Sequence, residues 1–551
     1  MKLSRLTLLA SAMLPLAAMG QSAVDGLQMN RNDLRGTARF MSMGGAFTAL
    51  GGDLSTLTQN PGGIGIYRSN EVGVTMDIDI MSSKSETQGY KMTNDMTKVY
   101  CPNFGYVGTW RTGNEILPFF NWGVSYGRAR SLDRRYQGYV DQLGGSLTNH
   151  MATYLTGQGF TSDELTSGSF AYNPYDYNYS WLGVLLFNGG EINPVSSLPT
   201  NNVFQGLYTP GTSSANASYF VEEKGYVDEY SINFGGNFID QIYWGLGIGI
   251  TDIDFKQWTS YGEGIDNGMM PYMDADKTMK VANGNGAFGL DSYKHIWGNG
   301  VNVKFGMIFK PINEFRIGFA IHTPTWYSLT ETTYGSVDGS FEAKTTGPLN
   351  SVQTHPYKFS TYTNSGNDSW IDWEYRTPWR LMIGAAGVIG KKAIISVDYE
   401  YNPYNQMHFQ SNNGVAYNLQ NEDAKNYYQA SNTLRLGLEY RVTPSVSLRA
   451  GYSYVSSPVK GESKVNELNN SDLCMATGGA YDYNTDASFV LDNDTNYITC
   501  GIGYRYQMFY VDAAYVYRHQ SATYYPWTAS AETSKLTFND HNIVLSCGLK
   551  F

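Results

Sequence analysis

Charge and cysteine are scarce in this sequence, and long apolar runs are nearly absent. Charged residues make up 16% of its 551 positions, and cysteine occurs only at Cys101, Cys474, Cys500 and Cys547. That spacing fits neither a metal-ligand motif nor a disulfide framework. After the first twenty residues no stretch reaches the roughly 18 consecutive apolar residues of a membrane-spanning helix. No Pro/Ser-rich linker or charged run divides the chain, although its length alone suggests several domains. A net charge of −11 with scattered bases argues against a nucleic-acid partner. There is no Gly-x-Ser-x-Gly elbow, and of seven histidines His322 alone falls clearly on an inward strand position. No catalytic residue, metal site or cofactor is therefore expected.

What is abundant is glycine, 60 residues, and tyrosine, 44. Gly/Tyr-rich strands joined by Asn/Asp/Gly-rich loops are the composition of an all-β chain. The start, MKLSRLTLLASAMLPLAAMG, has the basic, apolar and small-residue parts of a signal peptide over residues 1–20, with cleavage expected after Gly20. From Glu71 the period becomes two. Val72, Val74, Met76, Ile78 and Ile80 share one face, and Glu71, Gly73, Thr75, Asp77 and Asp79 share the other. The pattern recurs at 120–126, 230–234, 244–250, 301–309, 315–321, 434–440, 446–454, 498–506 and 543–551. Weaker strands centre near Phe104, Leu381, Val397 and Val511. The total is about fourteen strands of about nine to eleven residues, the length of a tilted membrane strand.

Short turns (FIDQIY, KPINEF, VIGKK, VTPS) alternate with long segments that read as external loops. These span Lys256 to Gly300, Thr323 to Pro378, Asn402 to Ser431, Ser456 to Asn496 and Arg518 to His541, besides a longer one after Tyr126. This rhythm predicts a transmembrane antiparallel β-barrel of the outer membrane over residues 71–551, with both ends periplasmic and long extracellular loops. Lipid then covers the apolar set. Asp77, Asp79, Lys304, Arg316, Arg435, Glu439, Arg441, Arg449, Arg505 and Asp512 face the lumen, because Arg or Lys facing lipid at mid-depth costs about 2–4 kcal/mol. Phe551 is a carboxy-terminal aromatic of the kind recognised by barrel-assembly machinery. Cys500 and Cys547 fall on strands twelve and fourteen, too far apart to bridge. Cys101 and Cys474 both fall at the external end, where a disulfide stays open.

A lumen of that width leaks unless it is filled. Residues 21–70 are rich in Gly, Ala, Ser and Thr but carry enough Met, Phe and Leu to order, and they predict a hatch inside the barrel. Within them stands DLSTLTQNPGGIGIYR, Asp53 to Arg68. It reads as a short helix capped by Asp53 and ended by Asn60-Pro61-Gly62-Gly63.

The run GGDLSTLTQNPGGI, followed by strands up to Phe551, resembles the FadL-type outer-membrane transporters of hydrophobic compounds, as a Bacteroidetes-like member. Their hatch bears Asn-Pro-Ala; the matching positions are Asn60, Pro61 and Gly62, with glycine in place of alanine. The resemblance covers the hatch motif in detail, and the rest in strand count, topology and terminus. It implies a monomeric passive channel that takes up hydrophobic small molecules such as long-chain fatty acids. The ligand is caught among external loops, the hatch shifts, and the ligand leaves sideways into outer-membrane lipid. Candidate capture residues are Trp181, Leu182, Leu185, Leu186 and Phe187 of WLGVLLF, with the adaptable patch Met269, Met270 and Met273. The plainer reading is that these residues pack the loops into a cap. A hemin or other ligand receptor, a general diffusion pore and an adhesion or secretion-partner barrel are the alternative functions.

Overall fold

A strand that crosses lipid must satisfy its backbone N–H and C=O groups in neighbouring ladders, and only closure leaves no edge. The computed structural model of the chain describes residues 23–166, 172–177, 179–273, 278–346, 352–390, 392–461, 483–527 and 530–551, and it is closed in this way. The expected signal peptide and Cys474 lie outside the described residues. Fourteen strands make the barrel: β1 (Glu71–Thr87), β2 (Tyr90–Arg111), β3 (Phe119–Ser131), β4 (Ser214–Phe238), β5 (Ile242–Met273), β6 (Met279–Ile312), β7 (Phe315–His322), β8 (Arg380–Ile389), β9 (Ala393–Pro403), β10 (Ala430–Arg441), β11 (Val446–Val455), β12 (Phe489–Tyr506), β13 (Phe509–Tyr525) and β14 (Ser534–Lys550). Each pairs antiparallel with the next, and β14 closes onto β1 from Glu71↔Lys550 to Glu86↔Lys535. Asn70 and Phe551 exchange backbone hydrogen bonds of 2.9 and 3.0 Å at the short-turn end.

The outward side chains form an apolar belt. Met76 and Ile78 on β1, Ile232 on β4, Ile248 on β5, Phe305 on β6, Leu436 on β10 and Leu545 on β14 are all exposed. Their sequence neighbours point inward, so that Asp77, Asp79, Lys304 and Asp512 are buried. This belt and the closed ladder define an outer-membrane β-barrel. Two residues of the expected inward set differ: Arg441 and Arg505 stand exposed at the short-turn end, beyond the filled part of the lumen.

Strand length departs from expectation. β7 has 8 residues and β8 has 10, but β5 has 32 and β6 has 34. Lys256 to Gly300 and Arg518 to His541, expected as loops, are mostly continuations of strand pairs. Above the belt the outward positions turn polar, as at Asp252, Asp254 and Lys256, so the two-residue hydropathy signal fades while the backbone ladder runs on. Thr323 to Pro378 contributes further strands, Trp326–Thr346 on upper β6, Val352–Tyr362 and Ile371–Arg376. Helices of the N-terminal segment are α1 (Ala23–Asn30), α2 (Ala38–Ser42) and α3 (Thr56–Gln59); the external cap contributes α4 (Leu147–Gln158), α5 (Trp181–Asn188) and α6 (Asn418–Tyr427).

Candidate functional site

Residues 23–67 pack against the inward face of the barrel and are almost wholly buried. A small-residue segment can approach a wall of inward Gly, Ser and Asn closely, and its backbone groups then need partners from that wall. They find them. Thr48 N donates to Asp398 (2.7 Å), Ala38 N to Ser546 Oγ (2.7 Å), Asn121 Nδ2 to Ile64 O (2.6 Å), Arg316 Nη1 to Leu50 O (2.9 Å) and His322 Nε2 to Gln59 O (2.8 Å). Ion pairs add to this. Arg35 bonds Asp77 (2.8 Å) and Asp79 (2.6 Å), Arg39 bonds Glu439 (3.1 Å), and Arg31 bonds Asp492 (2.8 Å).

The Asn60-Pro61-Gly62 turn sits where the wall comes closest. Asn60 is fully buried; its Oδ1 accepts from Gly62 N (2.9 Å) and its Nδ2 donates to Thr48 O (2.6 Å). A Cβ at Gly62 would stand 2.7 Å from Met307 N, and one at Gly306 would stand 1.8 Å from Asn60 Oδ1. Glycine at both positions is therefore a packing requirement. Asp53 accepts from a backbone amide as expected, but it stands two residues ahead of the N-cap position. Ser55 is the N-cap residue, while Asp53 Oδ1 accepts from Ser55 N (3.0 Å) and from Thr37 Oγ1 (2.7 Å), tying this helix to α2.

The apolar loop motifs come together in the cap. Trp181, Leu182, Leu185 and Leu186 on α5 are buried with Met270 of β5 in one apolar cluster. Ser180 caps α5 by accepting from Gly183 N (3.2 Å), and Trp181 Nε1 donates to Tyr175 O (3.2 Å). Phe187 and Met269 are half-buried at the margin, and the Met273 side chain lies outside the described residues. Within the cap Glu191 is fully buried with neither carboxylate oxygen hydrogen-bonded, and burial, helped by Asp338, pushes its carboxyl up to about 9. A second aromatic cluster escaped the sequence reading. Trp373, Tyr375, Phe409, Tyr417 and Tyr428 enclose Leu27 of α1, and Tyr375 OH donates to Gly26 O (2.9 Å). Its members come from two segments read as loops, where no periodicity marked them.

The barrel wall is split at one place within the belt. The β2–β3 ladder runs from Arg111↔Phe119 to Asn103↔Gly127 and stops there. Both strands continue, β2 pairing only with β1 and β3 only with β4. Pro102, next along β2, has no N–H to extend the ladder. Side chains bridge the split. Tyr100 OH of β2 donates to Asp133 just past β3 (2.6 Å), and the guanidinium groups of Arg35 and Arg128 lie 5.1 and 5.0 Å from the Tyr100 ring; Arg128 is itself held by Asp228 of the adjoining β4 (2.9 Å). Behind the split lies a lumenal cavity whose lining includes Pro102, Gly127, Arg128, Glu229, Lys304 and Arg380.

A fourteen-stranded ladder closed from β14 onto β1, a filled lumen and an interruption between β2 and β3 define a membrane barrel with a packed interior. No family model matches the chain, and no curated protein matches it in sequence. Solved structures similar to it include the toluene transporter TodX of Pseudomonas putida, at 12% identity over 95% of this chain and 99% of that one, with a TM-score of 0.44. A FadL homologue of Pseudomonas aeruginosa matches at 12% identity over 95% and 99%, with a TM-score of 0.46. The toluene transporter TbuX of Ralstonia pickettii matches at 14% over 94% and 99%, with a TM-score of 0.40. These are similarities of fold.

Proposed function

We propose that the chain is an outer-membrane uptake channel for hydrophobic small molecules, with residues 21–70 as its hatch and the β2–β3 split as its side exit. The split carries the reading: it is an interruption of the wall inside the apolar belt, beside a charged cavity. An apolar solute gains nothing among Arg35, Arg128, Glu229, Lys304 and Arg380 but keeps its full hydrophobic gain in lipid. Sideways release is therefore downhill, whereas passage along the filled lumen is not. The cap around Trp181, Leu182, Leu185, Leu186 and Met270, with Phe187 and Met269 at its margin, is the proposed capture element, and Met273 is proposed to act with it. Asn60-Pro61-Gly62 latches the hatch, and the exposed Phe551 is the proposed signal for barrel-assembly machinery.

The test is uptake by cells whose intact outer membrane contains this channel and no other route for the probe. Labelled toluene and a long-chain fatty acid are the apolar probes, and a small sugar is the polar control. Tyr100→Ala removes the bridge across the split and is expected to raise the initial rate severalfold for at least one apolar probe, leaving sugar entry unchanged. Sugar entry that rises while apolar uptake does not would point to a diffusion pore instead.

A further inference from the structure

Beside α1 a second cavity opens between β1, β2, β13, β14 and the segment that follows β3. Its lining includes Gln28, Arg130, Arg134, Arg135, Arg518 and Gln520. Each of these arginines but one is paired with a carboxylate. Arg134 takes Glu223 in a two-point bond of 2.8 and 2.9 Å, Arg135 takes Glu222, and Arg518 takes Asp540. Arg130 spends both Nη atoms on neutral acceptors, Gln28 O (2.6 Å) and Gln28 Oε1 (2.7 Å), and forms no ion pair among the described residues. It is 6% exposed.

Three buried N–H donors in this lining have no acceptor: Arg130 Nε, Arg518 Nε and Gln520 Nε2. Gln520 is 1% exposed, and its amide orientation is fixed because Oε1 accepts from Arg518 Nη2, so Nε2 faces away from that arginine. Among the described residues no buried side-chain acceptor of the same lining lacks a partner, and its carboxylates, Asp133, Glu223 and Asp540, are each hydrogen-bonded. Asp33 and Asp492 act on Arg130 from beyond ion-pair distance, but they do not make good the desolvation of its guanidinium, which with the unpaired donors beside it is costly unless an acceptor-rich group enters. Water would meet the donors but would add no charge to what Asp33 and Asp492 supply.

We propose that this cavity binds a small inorganic anion such as chloride, held by Arg130, Arg518 and Gln520. The anion would also fasten α1 to the wall, since Gln28 occupies the remaining donors of Arg130. The site does not depend on the identity of the transported solute.

Crystals of the full chain in detergent, soaked in sodium bromide, test it by anomalous scattering. A bromide peak within hydrogen-bond distance of Arg130 Nε and Gln520 Nε2 is expected. In solution, replacing gluconate with chloride at constant ionic strength should raise the thermal midpoint saturably. Gln520→Leu, which keeps every ion pair, should abolish that rise; Arg130→Gln is the second variant. A cavity free of bromide, or a chloride effect unchanged in Gln520→Leu, overturns the proposal.

Discussion

At the scale of single residues, function rests on close approach and on buried charge. Gly62 and Gly306 meet with no room for a methyl group on either side. Gly306→Ala should force the latch off the wall, at a cost of about 1–3 kcal/mol for overpacking. Open-channel events in planar bilayers should rise by about fivefold to a hundredfold, each 1.4 kcal/mol being about a factor of ten. The sequence marked the Asn60-Pro61-Gly62 turn, but not its partner. Gly306 looks like any small inward position of an alternating strand, and only the fold brings it against Asn60. Glu191 makes a different prediction. Its carboxyl is raised from an ordinary 4.5 to about 9, so below pH 4.5 it is neutral both folded and unfolded and costs nothing by titration. As pH rises from 4.5 to about 9, the unfolded chain ionises while the folded cap must keep the proton, and stability falls. Glu191→Gln should therefore raise the thermal midpoint of the cap by several degrees at pH 8 and leave it unchanged at pH 4, read by near-UV circular dichroism.

At the scale of elements, the N-terminal segment and the wall are complementary. Helices this short, such as α2 and α3, are too short to persist alone, and the wall supplies their partners. Removal of residues 21–68 should leave a folded barrel with steady conductance where the intact protein is closed. High conductance already present in the intact protein, unchanged by the deletion, would contradict the hatch. The barrel strands were legible because lipid imposes alternation on them. Their upper halves were not, because water outside and packed cap inside impose no such contrast. The β2–β3 split was visible only as Pro102 in a weak strand near Phe104, and a proline there does not say which neighbour is lost. The apolar run WLGVLLF was visible, but its conformation was not. As helix α5 it turns Trp181, Leu182, Leu185 and Leu186 into a shared core.

At the scale of the whole molecule, the barrel sorts its surroundings by polarity. The outside is apolar through the belt, the lumen is charged and occupied, and the external cap is an apolar core of its own. Such an arrangement favours cargo that prefers lipid to water at the depth of the split. The most direct test of that claim is to purify the protein in mild detergent from its own membranes and identify what is bound by mass spectrometry of the extract. A near-stoichiometric apolar molecule, whether fatty acid, terpenoid or aromatic, is the predicted result. An extract containing haem, or nothing above the detergent background, would contradict it.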